Sequence, residues 1–128
     1  MKKVLVTGGA GFIGSHLVER LAKDWYSVVV IDDLSLGKEE NLSSVKTQIK
    51  FYKKSICEDL NDIFEKENFD GIFHVAALPR VQFSISQPIE THEVNVNGTL
   101  NLLNLCKKYN VRRFVFSSSS SVYGEQKN

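Results

Sequence analysis

Residues 4–17 read VLVTGGAGFIGSHL: a short apolar run, three glycines at three-residue spacing (Gly8, Gly11, Gly14), and the start of a helical pattern. Between a strand and a helix each glycine has its own use. The first allows the tight turn, the second lets backbone approach a pyrophosphate that a Cβ would block, and the third lets helix and strand pack closely. The free N–H groups and positive dipole end of the helix at Gly11–Gly14 then face anionic phosphates. A glycine triplet alone would be weak, because tight turns use glycine everywhere. The second feature is Asp32, 24 residues past Gly8, at the end of VVVID. A carboxylate there accepts both hydroxyls of an adenosine ribose and repels a 2′-phosphate. No arginine stands near the end of that run, so NAD is expected rather than NADP. The plainer alternative is that Asp32 or Asp33 only caps the following turn.

Outward from this stretch, apolar runs alternate with helical patterns along all 128 residues. Residues 14–24 carry Leu17, Val18, Leu21 and Ala22 on one face and Glu19, Arg20 and Lys23 on the other, which is a helical repeat. SVVVID is a continuous apolar run, as expected of a strand covered on both faces. A polar loop with Gly37 follows, then a weaker strand IKFYK, a helix near Asp59–Lys66 and a buried strand GIFHVAA. Residues 88–109 read as one long amphipathic helix carrying Val94, Leu100, Leu103 and Cys106, with Asn110 as its C-cap. RRFVFSSS is the fifth strand, and the serines 117–121 continue it rather than forming a linker. This alternation predicts an α/β fold: one domain over residues 1–128, a Rossmann-type doubly wound parallel sheet of about five strands.

Composition excludes several classes. The chain is 42% apolar and 24% charged, with net charge +1, which supports neither a nucleic-acid partner nor a membrane surface. The start lacks an apolar stretch of the length a secretory signal needs, and no window approaches a membrane span of about 20 residues. Cys57 and Cys106 have no C-x-x-C spacing and are expected to be small buried hydrophobes in a reducing cytoplasm. No cluster has metal-ligand spacing. His74, among apolar neighbours, is expected to be a satisfied core or strand-end histidine rather than a general base.

Taken together, VLVTGGAGFIGSHL, VIDDLSLG, FDGIFHVAAL, PIETHEVNVNGTLNLL and FVFSSSSSVYGE resemble the extended short-chain dehydrogenase/reductases. Within them the chain is most similar to the NAD-dependent sugar-nucleotide epimerases and dehydratases, above all UDP-hexose 4-epimerases. The resemblance implies that Phe12 and Ile13 lie beside the pyrophosphate, Asp32 on the adenine ribose, and Asp33, Leu34 and Ser35 near the adenine. It places Val75, Ala76, Ala77 and Leu78 along the nicotinamide ribose and diphosphate, with Asn95 bracing the cofactor-side loops and Ser117 also at the cofactor. Ser119 would hold the substrate hydroxyl that loses its proton as hydride passes to NAD; bottom-up, it sits at the strand end where doubly wound sheets bind ligands.

Two departures stand out. Ser55, followed by Ile56, occupies the place of a common adenine-contacting aspartate, which implies a weaker adenine contact. Arg80 replaces a residue that is usually small, and is expected to clash with substrate or to meet a phosphate or an acidic group. The resemblance also implies a Tyr-x-x-x-Lys pair some 25 residues beyond Ser119. None of Tyr26, Tyr52, Tyr109 and Tyr123 reads as its tyrosine, Tyr123 belonging to the VYG turn. The chain is therefore expected to be the N-terminal cofactor part of an epimerase-like enzyme acting on a nucleotide sugar. It lacks the last strand and the substrate domain, is inactive alone, and self-associates through its exposed fifth strand. The alternatives are a dehydratase or decarboxylase of the same family, a stand-alone NAD-binding module without catalysis, and a fragment that binds nothing well. Dehydratases usually carry acids where this chain has Ser120 and Ser121.

Overall fold

The computed structural model describes residues 2–127. Five parallel strands, β1 (Lys3–Thr7), β2 (Ser27–Asp32), β3 (Ile49–Lys53), β4 (Gly71–His74) and β5 (Arg113–Phe116), form one sheet in the order β3-β2-β1-β4-β5. The chain leaves β1 toward β2 on one side and reaches β4 on the other. The order therefore reverses between β1 and β4, where doubly wound sheets leave a crevice at the carboxyl ends of their strands.

Alternation along the central strands divides the core in two. Val4, Val6, Val28 and Val30 face α1 (Phe12–Lys23) and a 3₁₀ turn over Glu39–Val45, meeting Val18, Leu21, Leu42 and Val45. Leu5, Val29, Ile31 and Ile72 face α2 (Asn61–Glu67) and the later helices, meeting Ile63, Phe64, Leu102 and Leu105. Both faces are covered, which is why these strands read as unbroken apolar runs.

The structure corrects several details. The first helix begins at Phe12, two residues ahead of the expected start, and GIFHVAA is strand only through His74. The expected long helix is three consecutive pieces: α4 (Pro88–His92), a π turn (Glu93–Gly98) and α5 (Thr99–Lys108), preceded by a short α3 (Val81–Ser86). Leu100 and Leu103 lie on its exposed face. The buried stripe is Gly98, Leu102, Leu105 and Cys106, at the i, i+4, i+7, i+8 spacing of one helical face. Asn110 adopts φ 55° past Tyr109, and the Val111 N–H returns to the Cys106 carbonyl at 2.9 Å, a left-handed helix stop. Cys106 is buried but Cys57 is exposed, against expectation, because it lies in the loop after β3 rather than on a core face. Among the described residues no helix is long and apolar enough to cross a membrane, and no group of three or more His, Cys, Asp or Glu is placed to hold a metal ion.

Candidate functional site

A cleft of about 430 Å³ opens at the carboxyl ends of β1, β2, β3 and β4. Gly8, Gly11, Phe12, Ile13 and Gly14 form one wall, Asp32, Asp33 and Ser35 the β2 end, Ser55 and Ile56 the β3 end, and Val75–Leu78 the wall beyond β4.

The three glycines differ in what they meet. Gly8 has φ 69°, and a Cβ there would lie 2.8 Å from the Ala76 backbone; the turn and the neighbouring loop both require glycine. A Cβ at Gly14 would collide with the Gly8 carbonyl oxygen, so this glycine seats the first turn of α1 on the loop. Gly11 is unlike both. Its φ is −77°, and the nearest atom to an added Cβ is the Gly8 oxygen at 3.4 Å, an ordinary contact. Nothing within the protein demands glycine there, and the bare side faces the cleft. Gly11 also caps α1, which has no side-chain cap and no acid in its first turn. Its first N–H groups are the orphan donors of a helix N-terminus.

Asp32 is buried and already structural. Its Oδ2 accepts the Ala10 N–H at 2.9 Å and its Oδ1 the Leu34 N–H at 2.8 Å. Asp32 does cap the following turn, and capping does not exhaust the carboxylate: each oxygen retains a lone pair. The Ala10 carbonyl in turn accepts from the Lys38 N–H and the Asn41 side chain, and Gly37 sits where a Cβ would lie 2.7 Å from the Ala10 backbone. The glycine loop is thus stitched to the end of β2 and to the following loop through one residue. Leu34, at φ 62°, is held in that left-handed conformation by Asp32 and lies outside the cleft lining. The Asp33 carboxylate is taken by the N–H and hydroxyl of Ser35.

Phe12 and Ile13 are 80% and 68% exposed over the cleft, an apolar surface at the mouth of a polar loop. Across from them, Asn95 grips Leu78 twice: its Oδ1 accepts the Leu78 N–H at 2.8 Å and its Nδ2 donates to the Leu78 carbonyl at 3.0 Å. At the floor, His74 is 2% exposed and satisfied on both ring nitrogens, by Thr7 at 2.7 Å and Thr99 at 2.8 Å. Burial pushes its imidazole down to about 4.

Ser117 and Ser119 stand apart from the cleft lining, both exposed. The Ser117 N–H donates to the His74 carbonyl, and the Ser119 hydroxyl accepts the Ser121 N–H at 3.1 Å, capping a four-residue 3₁₀ turn, Ser120–Tyr123. Arg80 is exposed ahead of α3 and does not line the cleft. Tyr123 does have a lysine four residues on, Lys127, a match the sequence reading passed over. The 3₁₀ turn ends at Gly124 with φ 65° and Lys127 is outside any helix, so the two are not stacked on one helical turn. Sequence reasoning also missed Ile31, Leu36, Gly37, Lys54, Pro79, Glu90 and Val94 in the lining. Gly37 lies within the loop after β2 and Lys54 just past β3, both at the carboxyl ends of strands where a ligand crevice is expected; Glu90, on α4, and Val94, on the π turn, carried no such mark.

Residues 4–128 match the NAD dependent epimerase/dehydratase family. The UDP-glucose 4-epimerase of Caenorhabditis elegans is 41% identical over 94% of this chain, which spans 39% of that protein. The crystal structure of a UDP-glucose 4-epimerase with UDP-glucose from Thermotoga maritima superposes with TM-score 0.92 at 41% identity, over 98% of this chain and 41% of that one. A Thermus thermophilus UDP-glucose 4-epimerase in complex with NAD superposes with TM-score 0.86 at 39% identity, over 91% and 37%. The chain spans about two-fifths of the length of these relatives. The glycine loop, the acid at the end of β2 and the match over nearly the whole sequence agree: this chain belongs to the NAD dependent epimerase/dehydratase family.

Proposed function

We propose that residues 1–128 are one NAD-binding domain, the cofactor part of a sugar-nucleotide 4-epimerase. The observation that carries this is Gly11: a glycine that the fold does not need, at the uncapped start of a helix, 21 residues before a buried carboxylate with lone pairs to spare. A cofactor diphosphate fills the space beside Gly11 and meets the first N–H groups of α1. Asp32 accepts the ribose hydroxyls with its remaining lone pairs, and Ser55 and Ile56 bound the adenine. Val75–Leu78 run along the nicotinamide ribose, held at Leu78 by Asn95, and Ser117 lies near the same end. NAD, when bound, supplies a hydride acceptor for C4 of the sugar. Ser119 orients the hydroxyl at that carbon in the complete enzyme. Because Tyr123 and Lys127 are not paired on a helix, the chain alone is inactive. The three serines at 119–121 favour epimerisation over a dehydratase reading, since elimination of water needs acids there.

Calorimetric titration tests the reading. The chain binds NAD more tightly than NADP, and Asp32→Ala weakens NAD by about 1–3 kcal/mol, the loss for hydrogen bonds to a charged group. Equal affinity for the two dinucleotides, or an unchanged affinity in the variant, removes Asp32 from the site. The proposal includes self-association of the isolated chain through β5, an edge strand whose Val115 and Phe116 are 50% and 55% exposed. Light scattering that shows only monomer at high concentration rejects that part.

A further inference from the structure

The wall Val75–Leu78 belongs to no strand or helix, and its two ends are tied to different elements. At the first end, the Thr7 hydroxyl oxygen on β1 accepts the Val75 N–H at 3.1 Å and the Ala76 N–H at 3.2 Å. At the other, Asn95 on the π turn holds Leu78 by both its N–H and its carbonyl. His74 touches the first anchor directly and reaches the second through Thr99: Nδ1 meets the Thr7 hydroxyl and Nε2 the Thr99 hydroxyl. Thr99 in turn bonds the Asn95 carbonyl at 2.7 Å.

The protons in this chain are ordered by counting donors and acceptors. The Thr7 oxygen spends both lone pairs on backbone N–H groups, so its own proton goes to His74 Nδ1. Nδ1 is then the acceptor and Nε2 carries the hydrogen, donated to Thr99, whose proton passes on to the Asn95 carbonyl. A leucine or phenylalanine of similar size would leave Thr7 with a buried, unmade donor and Thr99 without its donor. The apolar surroundings, Phe114 and Phe116 with ring centres 5.8 and 5.7 Å from that of His74, offer no substitute.

We infer that His74 is a positioning residue for the cofactor cleft, joining the Thr7 and Asn95 anchors so that Val75–Leu78 keeps one conformation. It touches no cofactor; it acts through the wall. The affinity part of its test rests on the NAD reading above, and the exchange part does not.

The test begins with the cofactor-free chain. In His74→Leu, the Val75, Ala76 and Leu78 amides exchange about tenfold faster relative to the strand amides of Val6 and Val30, and NAD affinity measured well below the melting temperature falls about tenfold, the size of one unmade hydrogen bond. His74→Asn, whose amide oxygen reaches the Nδ1 position but not Thr99, restores Val75 and Ala76 and leaves Leu78 loose. His74→Gln, which reaches only the Nε2 position, leaves Val75 and Ala76 loose, and the Asn–Gln pair decides the matter if the leucine variant does not fold. A purely structural histidine gives lower melting temperatures with unchanged relative exchange and unchanged affinity, or equal exchange in the Asn and Gln variants; any of these overturns the proposal. If the unsubstituted chain binds no NAD, the function reading fails, and the exchange rates alone decide the role of His74.

Discussion

At the amino ends of β1 and β3 charged groups are spent on one another; at the carboxyl ends of β1 and β2 some hydrogen-bonding capacity is left over. Glu67, the last residue of α2, is 2% exposed and accepts from Lys3 at 3.0 Å, Lys50 at 2.9 Å and the Tyr52 hydroxyl at 2.8 Å. Asp70 takes the Lys3 N–H at 2.8 Å. At the other end, α1 starts uncapped, Phe12 and Ile13 stand in the open, and Asp32 keeps lone pairs unused. One sheet thus separates the groups that hold it together from the groups that are presented to a ligand, and substitutions at the two ends are expected to have opposite signatures.

The largest effect belongs to the amino end. Glu67→Ala removes three hydrogen bonds, two from ammonium groups, and is expected to cost about 3 kcal/mol of stability while leaving NAD affinity unchanged. Urea unfolding and a titration on the same samples check both halves; a stable variant, or one with weakened binding, erases the separation. Acid divides the ends again. Burial alone would raise the Glu67 carboxyl, but hydrogen bonds from Lys50, Tyr52 and Lys3 outweigh it and hold it at about 2. Its contribution is complete above the ordinary 4.5 and is lost as pH falls from there toward 2. His74 acts in a higher window. It stays neutral in the fold to about 4, whereas the unfolded chain takes the proton near 6.5; stability therefore declines as pH falls between those values and no further on its account. Urea midpoints measured through both windows should fall in two stages, and Glu67→Gln should abolish only the lower one.

How much of this was legible follows the same division. The carboxyl end was readable because its residues are typed by what they must leave open: glycines at fixed spacing, an acid closing an apolar run, small residues after β4. Fourteen of the residues so named line the cleft: Gly8, Gly11, Phe12, Ile13, Gly14, Asp32, Asp33, Ser35, Ser55 and Ile56 with Val75, Ala76, Ala77 and Leu78. The Glu67 cluster was not legible, since Lys3, Lys50 and Glu67 are far apart in sequence and charged residues at strand starts read as solvated. Within the long helix, periodicity found the element and placed Val94 and Cys106 on the core, but not Leu100 and Leu103, and the pattern carries no mark of the π turn at Glu93–Gly98. Trp25, at φ 68° where α1 stops, was equally unmarked: a bulky residue in a left-handed position gives no sequence signal of a helix end.

The finest discrimination is between two glycines three residues apart. Gly14→Ala drives a Cβ into the Gly8 carbonyl and must shift the start of α1 or the loop, an overpacking cost of about 1–3 kcal/mol. Gly11→Ala meets no such obstacle, since φ is −77° and the nearest atom is at 3.4 Å. An alanine also restricts the unfolded chain, so stability should hold or rise by about 0.4–1 kcal/mol. Its methyl group projects into the space where a diphosphate would run, so NAD affinity should fall even as the melting temperature holds. A loss of binding without a loss of stability assigns that space to a ligand. If instead Gly11→Ala binds NAD as tightly as the unsubstituted chain, the glycine is only the cap of α1, and the carboxyl end of the sheet is less different from the amino end than its geometry implies.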